Sequence, residues 1–265
     1  MIPKIIHYCW FGRNPKPKSV LKCIASWKKY CPDYEIIEWN ESNIDVNMNL
    51  YTQQAYEAKA WGFVPDYLRL WIIYNHGGIY LDTDVQMVKN FDPLLSNKAF
   101  GGFEAGSIEK GLYVALGLGF GAEAGNETIK KHMEIYDTIQ FTNTDGTYNK
   151  LPAPSYTTNL FLNYGLDRHS DTIQTCGEFT VYPTDYFCPK RLDTGLTTLT
   201  ENSYSIHQFD ASWFDEEEQI KKKDRWKRMK REALVDYIVH IPNRVARSVL
   251  GDIRYEELKS RLKRN

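Results

Sequence analysis

The sequence predicts an α/β fold, a buried sheet flanked by helices, followed by a basic helical extension. Three observations predict it. The chain opens on an apolar run, an amphipathic stretch and a second apolar run, the β–α–β order that favours a parallel sheet covered on both faces. A helix-like segment ends in Gly77-Gly78 and passes directly into another short apolar run. Finally, residues 219–265 carry 15 Lys/Arg against 6 Asp/Glu, whereas residues 1–218 hold 18 basic and 28 acidic side chains. The charge shift divides the chain into a core domain, 1–218, and a basic amphipathic extension, 219–265.

The elements follow in order. Lys4–Trp10 is a compact run of Ile and aromatics, read as a strand that Phe11-Gly12 ends. Lys18–Cys31 places Leu21, Ile24, Ala25 and Lys28 at helical spacing, and Pro32-Asp33 stops it. Tyr34–Trp39 is a second strand and Tyr51–Ala60 a helix. Pro65 suits a first helical turn, so the next helix runs from Pro65 to about Asn75 and is capped by Gly77-Gly78. Leu68, Trp71, Ile72 and Asn75 share one face of it; Asp66, Arg69 and Ile73 share another. Ile79–Asp82, Phe100–Phe103, the glycine-broken Tyr113–Phe120 and Ser203–His207 are strand candidates. Thr128–Ile139 and Thr158–Tyr164 are helix candidates.

Composition narrows the function classes. The 265 residues include 5 Cys without framework or CxxC spacing, so free thiols and a reducing compartment are expected. No leader peptide is expected at the N-terminus, and no apolar run approaches the length of a membrane span. The sequence holds no Walker loop, GxGxxG or zinc motif, and no nucleic-acid partner is expected. The 7 Trp and 18 Tyr exceed what a core needs and are compatible with stacking on sugars or bases.

The chemistry concentrates in GGIYLDTD, Gly77–Asp84. If Asp82 and Asp84 continue the strand, residues two apart share one side of it, and both carboxylates meet one object at the strand's C-terminal end. Paired carboxylates repel unless a cation offsets them, and Mg²⁺ or Mn²⁺ typically joins such carboxylates to a substrate phosphate. A solvated turn containing two Asp is the plain alternative for a motif this short.

The run FVPDYLRLWIIYNHGGIYLDTDV, with IPKIIHYCWFG and SWKKYCPDYEIIEWN before it, resembles the DxD region of retaining glycosyltransferases with the GT-A fold. The resemblance is to the family of bacterial capsule and lipopolysaccharide glycosyltransferases that also contains yeast-type initiating α-mannosyltransferases. The clostridial glucosylating toxins are more distant. It covers roughly residues 2–95, is thin from 96 to 200, and returns at IHQFDASW. It implies a Rossmann-like, nucleotide-sugar-binding mixed sheet. It also implies that Asp82 and Asp84 hold Mn²⁺ or Mg²⁺ on the donor diphosphate, with His207 as a late metal ligand. Trp10 would stack on the base, Tyr80 would lie beside the ribose or base, and Trp213 would close over the diphosphate. Asp66 and Arg69 would contact the donor sugar and diphosphate, and Asn159 would face the donor sugar.

Each role has a plainer counterpart. Asp66 and Arg69, three apart, also make an ordinary helix ion pair. Trp10 also suits a core, and a lone His207 suits a structural role. Glu104 follows the GGF run and could face the site, but is read first as part of a solvated turn, and His7 as a satisfied core histidine. The expected reaction moves a hexose from a nucleotide-sugar, UDP-galactose or UDP-glucose first, to a hydroxyl of a growing, lipid-linked surface polysaccharide such as a capsule. Front-face attack is preferred, the hydroxyl losing its proton to the leaving phosphate; double displacement through a carboxylate such as Glu104 is the alternative. A metal-dependent sugar-nucleotide hydrolase or phosphoryl-transfer enzyme, and a non-catalytic glycan-binding protein, remain open. The extension, with KKKDRWKRMKR at Lys221–Arg231 and apolar positions at Val245, Val249 and Leu250, is expected on an anionic membrane surface. That places the protein in the cytoplasm, peripheral to the inner face of the plasma membrane.

Overall fold

The computed structural model describes residues 1–210, 216–239, 251, 254, 256 and 257. It contains two compact units, Met1–Leu192 with Thr197–Glu216, and Asp193–Leu196 with Glu217–Asn265. In chain order the elements are β1 (Ile5–Cys9), α1 (Lys18–Tyr30), β2 (Glu35–Trp39), α2 (Leu50–Glu57), α3 (Pro65–His76), β3 (Gly78–Tyr80), β4 (Val85–Met87), β5 (Ala99–Glu104) and β6 (Tyr113–Val114). They continue with β7 (Phe120–Ala122), α4 (Glu127–Tyr136), α5 (Ala153–Leu162), β8 (Gln174–Cys176), β9 (Phe179–Tyr182), α6 (Thr184–Phe187), β10 (Ser205–His207) and α7 (Glu216–Val239).

The main sheet runs β2-β1-β3-β7-β5-β9-β8, with β6 on β5. The opening β–α–β unit is parallel as expected: Ile6 pairs with Ile36 on one side and Ile79 on the other. Strand β7 is antiparallel to both β3 and β5, so β5 runs in the same direction as β3. This mixed sheet with flanking helices is the α/β, GT-A-type layout implied by the resemblance. β4 leaves the main sheet and pairs antiparallel with β10, His207 opposite Val85.

Gly77 and Gly78 explain how α3 turns into β3. Their φ angles are +66° and +98°, a region other residues avoid. A Cβ on Gly78 would come within 2.8 Å of the Ile5 carbonyl oxygen and 3.0 Å of the His7 ring. The glycines therefore allow β3 to lie tight against β1. His7 is fully buried; its Nε2–H donates to the Gly77 carbonyl at 3.0 Å and its Nδ1 accepts from the Trp39 indole at 3.1 Å. It is the satisfied core histidine the sequence predicts.

Several expectations need correction. Strand β3 stops at Tyr80, and Asp82–Asp84 forms a turn closed by the Val85 N–H on the Asp82 carbonyl at 3.0 Å. The two carboxylates converge through that turn and not through strand alternation. Tyr113–Phe120 is not one strand: Gly117 and Gly119 break it into β6, a 3₁₀ turn at Leu116–Leu118 and β7. The Thr158 helix begins earlier, at Ala153, because Pro154 fits the first helical turn. β4, β8, β9 and α6 are too short to leave a pattern.

Burial depresses the His7 pKa to about 4. Below the ordinary histidine value of 6.5 the unfolded chain takes up a proton that the fold refuses, so stability present above pH 6.5 is lost as the pH falls toward 4. Unfolding by urea across this window is expected to show wild type losing up to about 1.4 kcal/mol per pH unit more than His7→Gln. Parallel pH slopes would contradict this account.

Candidate active site

A cavity of about 620 Å³ opens at the C-terminal ends of β1, β3 and β5. In open α/β sheets ligands collect at that edge. Its lining includes Trp10, Asp66, Arg69, Tyr80, Glu104 and Gly117, together with Asp82, Asp84 and His207.

The DxD turn is held from several sides. The buried Trp27 indole of α1 donates to the Val85 carbonyl at 2.7 Å, and the Ser26 hydroxyl accepts from the Met87 N–H at 2.9 Å. The Asp82 N–H donates to the Gly117 carbonyl at 3.2 Å, and the Gln208 N–H to the Asp84 carbonyl at 2.9 Å. One ligand-capable atom each from Asp82, Asp84 and His207 lies within 4.8 Å of the others. The His207 Nε2 is 3.1 Å from Asp84 Oδ1, and its Nδ1 is buried with no hydrogen-bond partner among the described residues. Phe209 packs edge-on against the imidazole at 4.4 Å and holds a φ of +56°, strained for a bulky side chain. Two carboxylates and an imidazole at this spacing fit a divalent ion that prefers oxygen and accepts nitrogen.

The electrostatics divide the two aspartates. Burial pushes the Asp82 carboxyl up, with Arg69 opposing and Asp84 adding to the rise. Burial acts on Asp84 too, but His207 and the Asp210 N–H, 2.9 Å from Oδ2, hold it below the usual carboxylate range. His207 loses solvation on burial, yet Asp84 raises its pKa above the ordinary value.

Arg69 and Asp66, on the first turns of α3, are an ion pair, and both are buried. The surface pair is therefore excluded. Arg69 Nη1 also lies 3.4 Å from Asp82 Oδ1, Nε donates to the Pro65 carbonyl at 3.1 Å, and the guanidinium stacks 5.5 Å from the Tyr80 ring centroid. Burial pushes the Asp66 carboxyl up to about 6, against the pull of Arg69. Trp10 lines the cavity half-buried, its indole donating to the Asn14 carbonyl at 2.7 Å.

The structure thus brings Trp10, Asp66, Arg69, Tyr80, Asp82, Asp84 and His207 to one cavity. Asn159 is not brought there. It is exposed on α5, two residues and therefore about 200° of helix from Thr157, which does line the cavity. Trp213 lies outside the described residues. Glu104 is also a correction: it is half-buried at the end of β5 and lines the cavity, not a solvated turn. Sequence reasoning missed His132 and Thr157, which line the wall with the His132 Nε2 3.4 Å from the Thr157 hydroxyl. The available signal for His132 was its position four residues before Tyr136 and three after Ile129, on the buried stripe of α4. Gly117 was missed as well. A Cβ there would overlap the Asp82 Oδ2 atom and stand 3.0 Å from Arg69 Nη1.

Residues 17–101 match the family model of the glycosyltransferase sugar-binding region containing a DXD motif. Inositol phosphoceramide mannosyltransferase 1 of Schizosaccharomyces pombe is 31% identical over 114 residues, 37% of this chain and 33% of its own. Inositol phosphoceramide mannosyltransferase 3 of the same yeast is 34% identical over 105 residues, 37% of this chain and 29% of its own. The chain spans about a third of the length of these curated relatives. The solved PaToxG glycosyltransferase is similar with a TM-score of 0.49 at 20% identity, over 61% of this chain and 69% of its own. The matched family segment holds Asp66, Arg69, Tyr80, Asp82 and Asp84; Trp10, Glu104 and His207 fall outside it.

Gly117→Ala is expected to displace the Asp82 carboxylate. Calorimetric titration with Mn²⁺ and UDP should show affinity reduced about tenfold or more, while thermal unfolding shows at most the roughly 1–3 kcal/mol cost of overpacking. Unchanged affinity would mean that Asp82 is not needed at its present position.

Proposed function

We propose that this chain, matching the DXD glycosyltransferase family over residues 17–101, transfers a hexose from a nucleotide-sugar to a hydroxyl of a saccharide acceptor, with retention at the anomeric carbon. The observation that carries this reading is the meeting of Asp82, Asp84 and His207 at the end of a cavity that also holds the Asp66–Arg69 pair. In this reading Asp82, Asp84 and His207 hold Mn²⁺ or Mg²⁺. When bound, the ion supplies positive charge for the donor diphosphate and for the charge that develops as it leaves.

The protein's own groups do the rest. Arg69 adds a fixed positive charge beside Asp82, pre-oriented by Asp66 and the Pro65 carbonyl, so it needs no reorganisation when the diphosphate departs. Asp66, ionised above about pH 6, accepts from hydroxyls of the donor hexose. Trp10 offers a flat face at the cavity wall for a base. Tyr80 is buried beneath the Arg69 guanidinium and keeps it aimed. Uridine donors, UDP-glucose or UDP-galactose, are the first choice on the strength of Trp10. The two yeast relatives are named mannosyltransferases, which supports a mannose donor as a second reading. One panel of UDP-glucose, UDP-galactose and GDP-mannose, followed by nucleotide release, decides between them.

Helix α7 carries the charge of the KKKDRWKRMKR run and exposes Ile220, Leu234 and Val235 among its Lys and Arg side chains. No described helix is long and apolar enough to cross a membrane. A basic helix with exposed apolar side chains supports association with an anionic bilayer surface, where a lipid-linked acceptor would be met and which would lie at the inner face of the plasma membrane. The apolar positions Val245, Val249 and Leu250 lie outside the described residues.

Two outcomes test these readings. Asp84→Ala should abolish Mn²⁺-dependent UDP binding and transfer with little change in melting temperature; full activity in the variant or in EDTA would overturn metal dependence. The full chain should sediment with phosphatidylglycerol vesicles at low salt, and less so with Lys221, Lys223 and Arg225 changed to Glu. No sedimentation at low salt removes the membrane from the proposal.

A further inference from the structure

We infer that Glu104 is a catalytic residue of the transfer, accepting the hydrogen bond of the acceptor's attacking hydroxyl and taking its proton as the new bond forms. The inference rests on the glycosyltransferase reading above and deepens it.

The first argument is placement. β5 runs in the same direction as β3, so the C-terminal end of β5 reaches the sheet edge at which the DxD turn begins. Glu104 is the last residue of β5 and lines the same cavity as Asp82, Asp84 and His207. It shares the cavity with His207, yet it does not belong to the set of ligand atoms that lie within 4.8 Å of one another. Its place is therefore in the same cavity and outside that set.

The second argument is the absence of a partner. Asp66 is paired with Arg69, Asp82 with Arg69, and Asp84 with His207 and the Asp210 N–H. Glu104 has no hydrogen bond or ion pair from its carboxylate among the described residues. Half-buried at the cavity wall, this carboxylate keeps its accepting capacity for whatever enters the cavity.

The third argument is the chemistry of what can complete it. A diphosphate offers only anionic acceptors and would be repelled. A hydroxyl offers a donor. Donor-sugar hydroxyls have Asp66, which α3 brings to the cavity, whereas Glu104 is brought there by the end of β5. The hydroxyl left for Glu104 is that of the incoming acceptor. In the step, the acceptor O–H bond breaks and its proton moves to a Glu104 carboxylate oxygen. The oxygen lone pair bonds to the anomeric carbon on the face from which the diphosphate departs, as retention requires. The bond from that carbon to the phosphate oxygen breaks, its electron pair leaving with the nucleoside diphosphate.

The test uses the full chain with Mn²⁺, the three nucleotide-sugars above, and methyl α-hexosides as acceptors. Glu104→Gln keeps shape and removes the base; Glu104→Ala removes both. Expected are a fall in transfer kcat of about 10²–10⁴-fold in both variants, UDP–Mn²⁺ affinity and donor KM within about threefold of wild type, and partial recovery of Glu104→Ala by added formate. Three results overturn the inference: undiminished transfer in Glu104→Gln; loss of UDP–Mn²⁺ binding in it, which would make Glu104 part of the metal group; or, from Glu104→Ala with azide, a glycosyl azide of inverted anomeric configuration, which would make Glu104 a nucleophile. Wild type inactive on every donor overturns the glycosyltransferase reading itself, and this inference with it.

Discussion

Two carboxylates held side by side in a half-buried turn repel each other, and the surroundings of Asp82 and Asp84 are organised to offset that repulsion. Arg69 lies against one and His207 against the other. The two come from different elements, Arg69 from the start of α3 and His207 from the end of β10. A buried charge pair is costly to desolvate, so this arrangement does not serve stability first. It keeps one ligand-capable atom of each aspartate within 4.8 Å of the other while leaving the asymmetry that makes Asp84 the more acidic of the two.

Close approach is the second constraint. Gly78 allows β3 to touch β1, and Gly117 leaves room for the Asp82 carboxylate where any side chain would intrude. The Trp27 indole, buried in α1, fixes the first residue of β4 from behind. Backbone and side chain therefore cooperate: the turn is short because β4 is pulled out of the main sheet to pair with β10, and that pairing is what delivers His207. The strained Phe209 backbone immediately after His207 marks how tightly this corner is built.

Within this frame the cavity has two kinds of polar group. Asp66, Asp82 and Asp84 are answered by the protein; Glu104 is not answered among the described residues. His132 and Thr157 line the opposite wall from α4 and α5, the histidine kept neutral by burial, its pKa lowered to about 3. The loosely matched middle of the chain thus contributes side chains to the site even though it carries little of the resemblance to known sequences.

The sequence alone determined the β–α–β opening, the Pro65 helix and its glycine stop, because proline, glycine and apolar periodicity act locally. It also identified Trp10, Asp66, Arg69, Tyr80, Asp82, Asp84 and His207 as candidates, since these residue types carry chemistry wherever they lie and most stand in one resembling segment. Asn159 was misjudged because the direction of a helix face depends on what packs against it. Glu104 was misjudged because a residue ending a short strand is read as solvated until the neighbouring strands are known. Only the tertiary structure decided that β5 ends beside β3 across an antiparallel β7, that the aspartates meet in a turn, and that Gly117 must stay bare. Those facts arise from pairing between segments 21 or more residues apart (Phe100 with Gly121, Asp82 N–H to Gly117 carbonyl, Gln208 N–H to Asp84 carbonyl), and no local pattern encodes which distant partner a short strand will find.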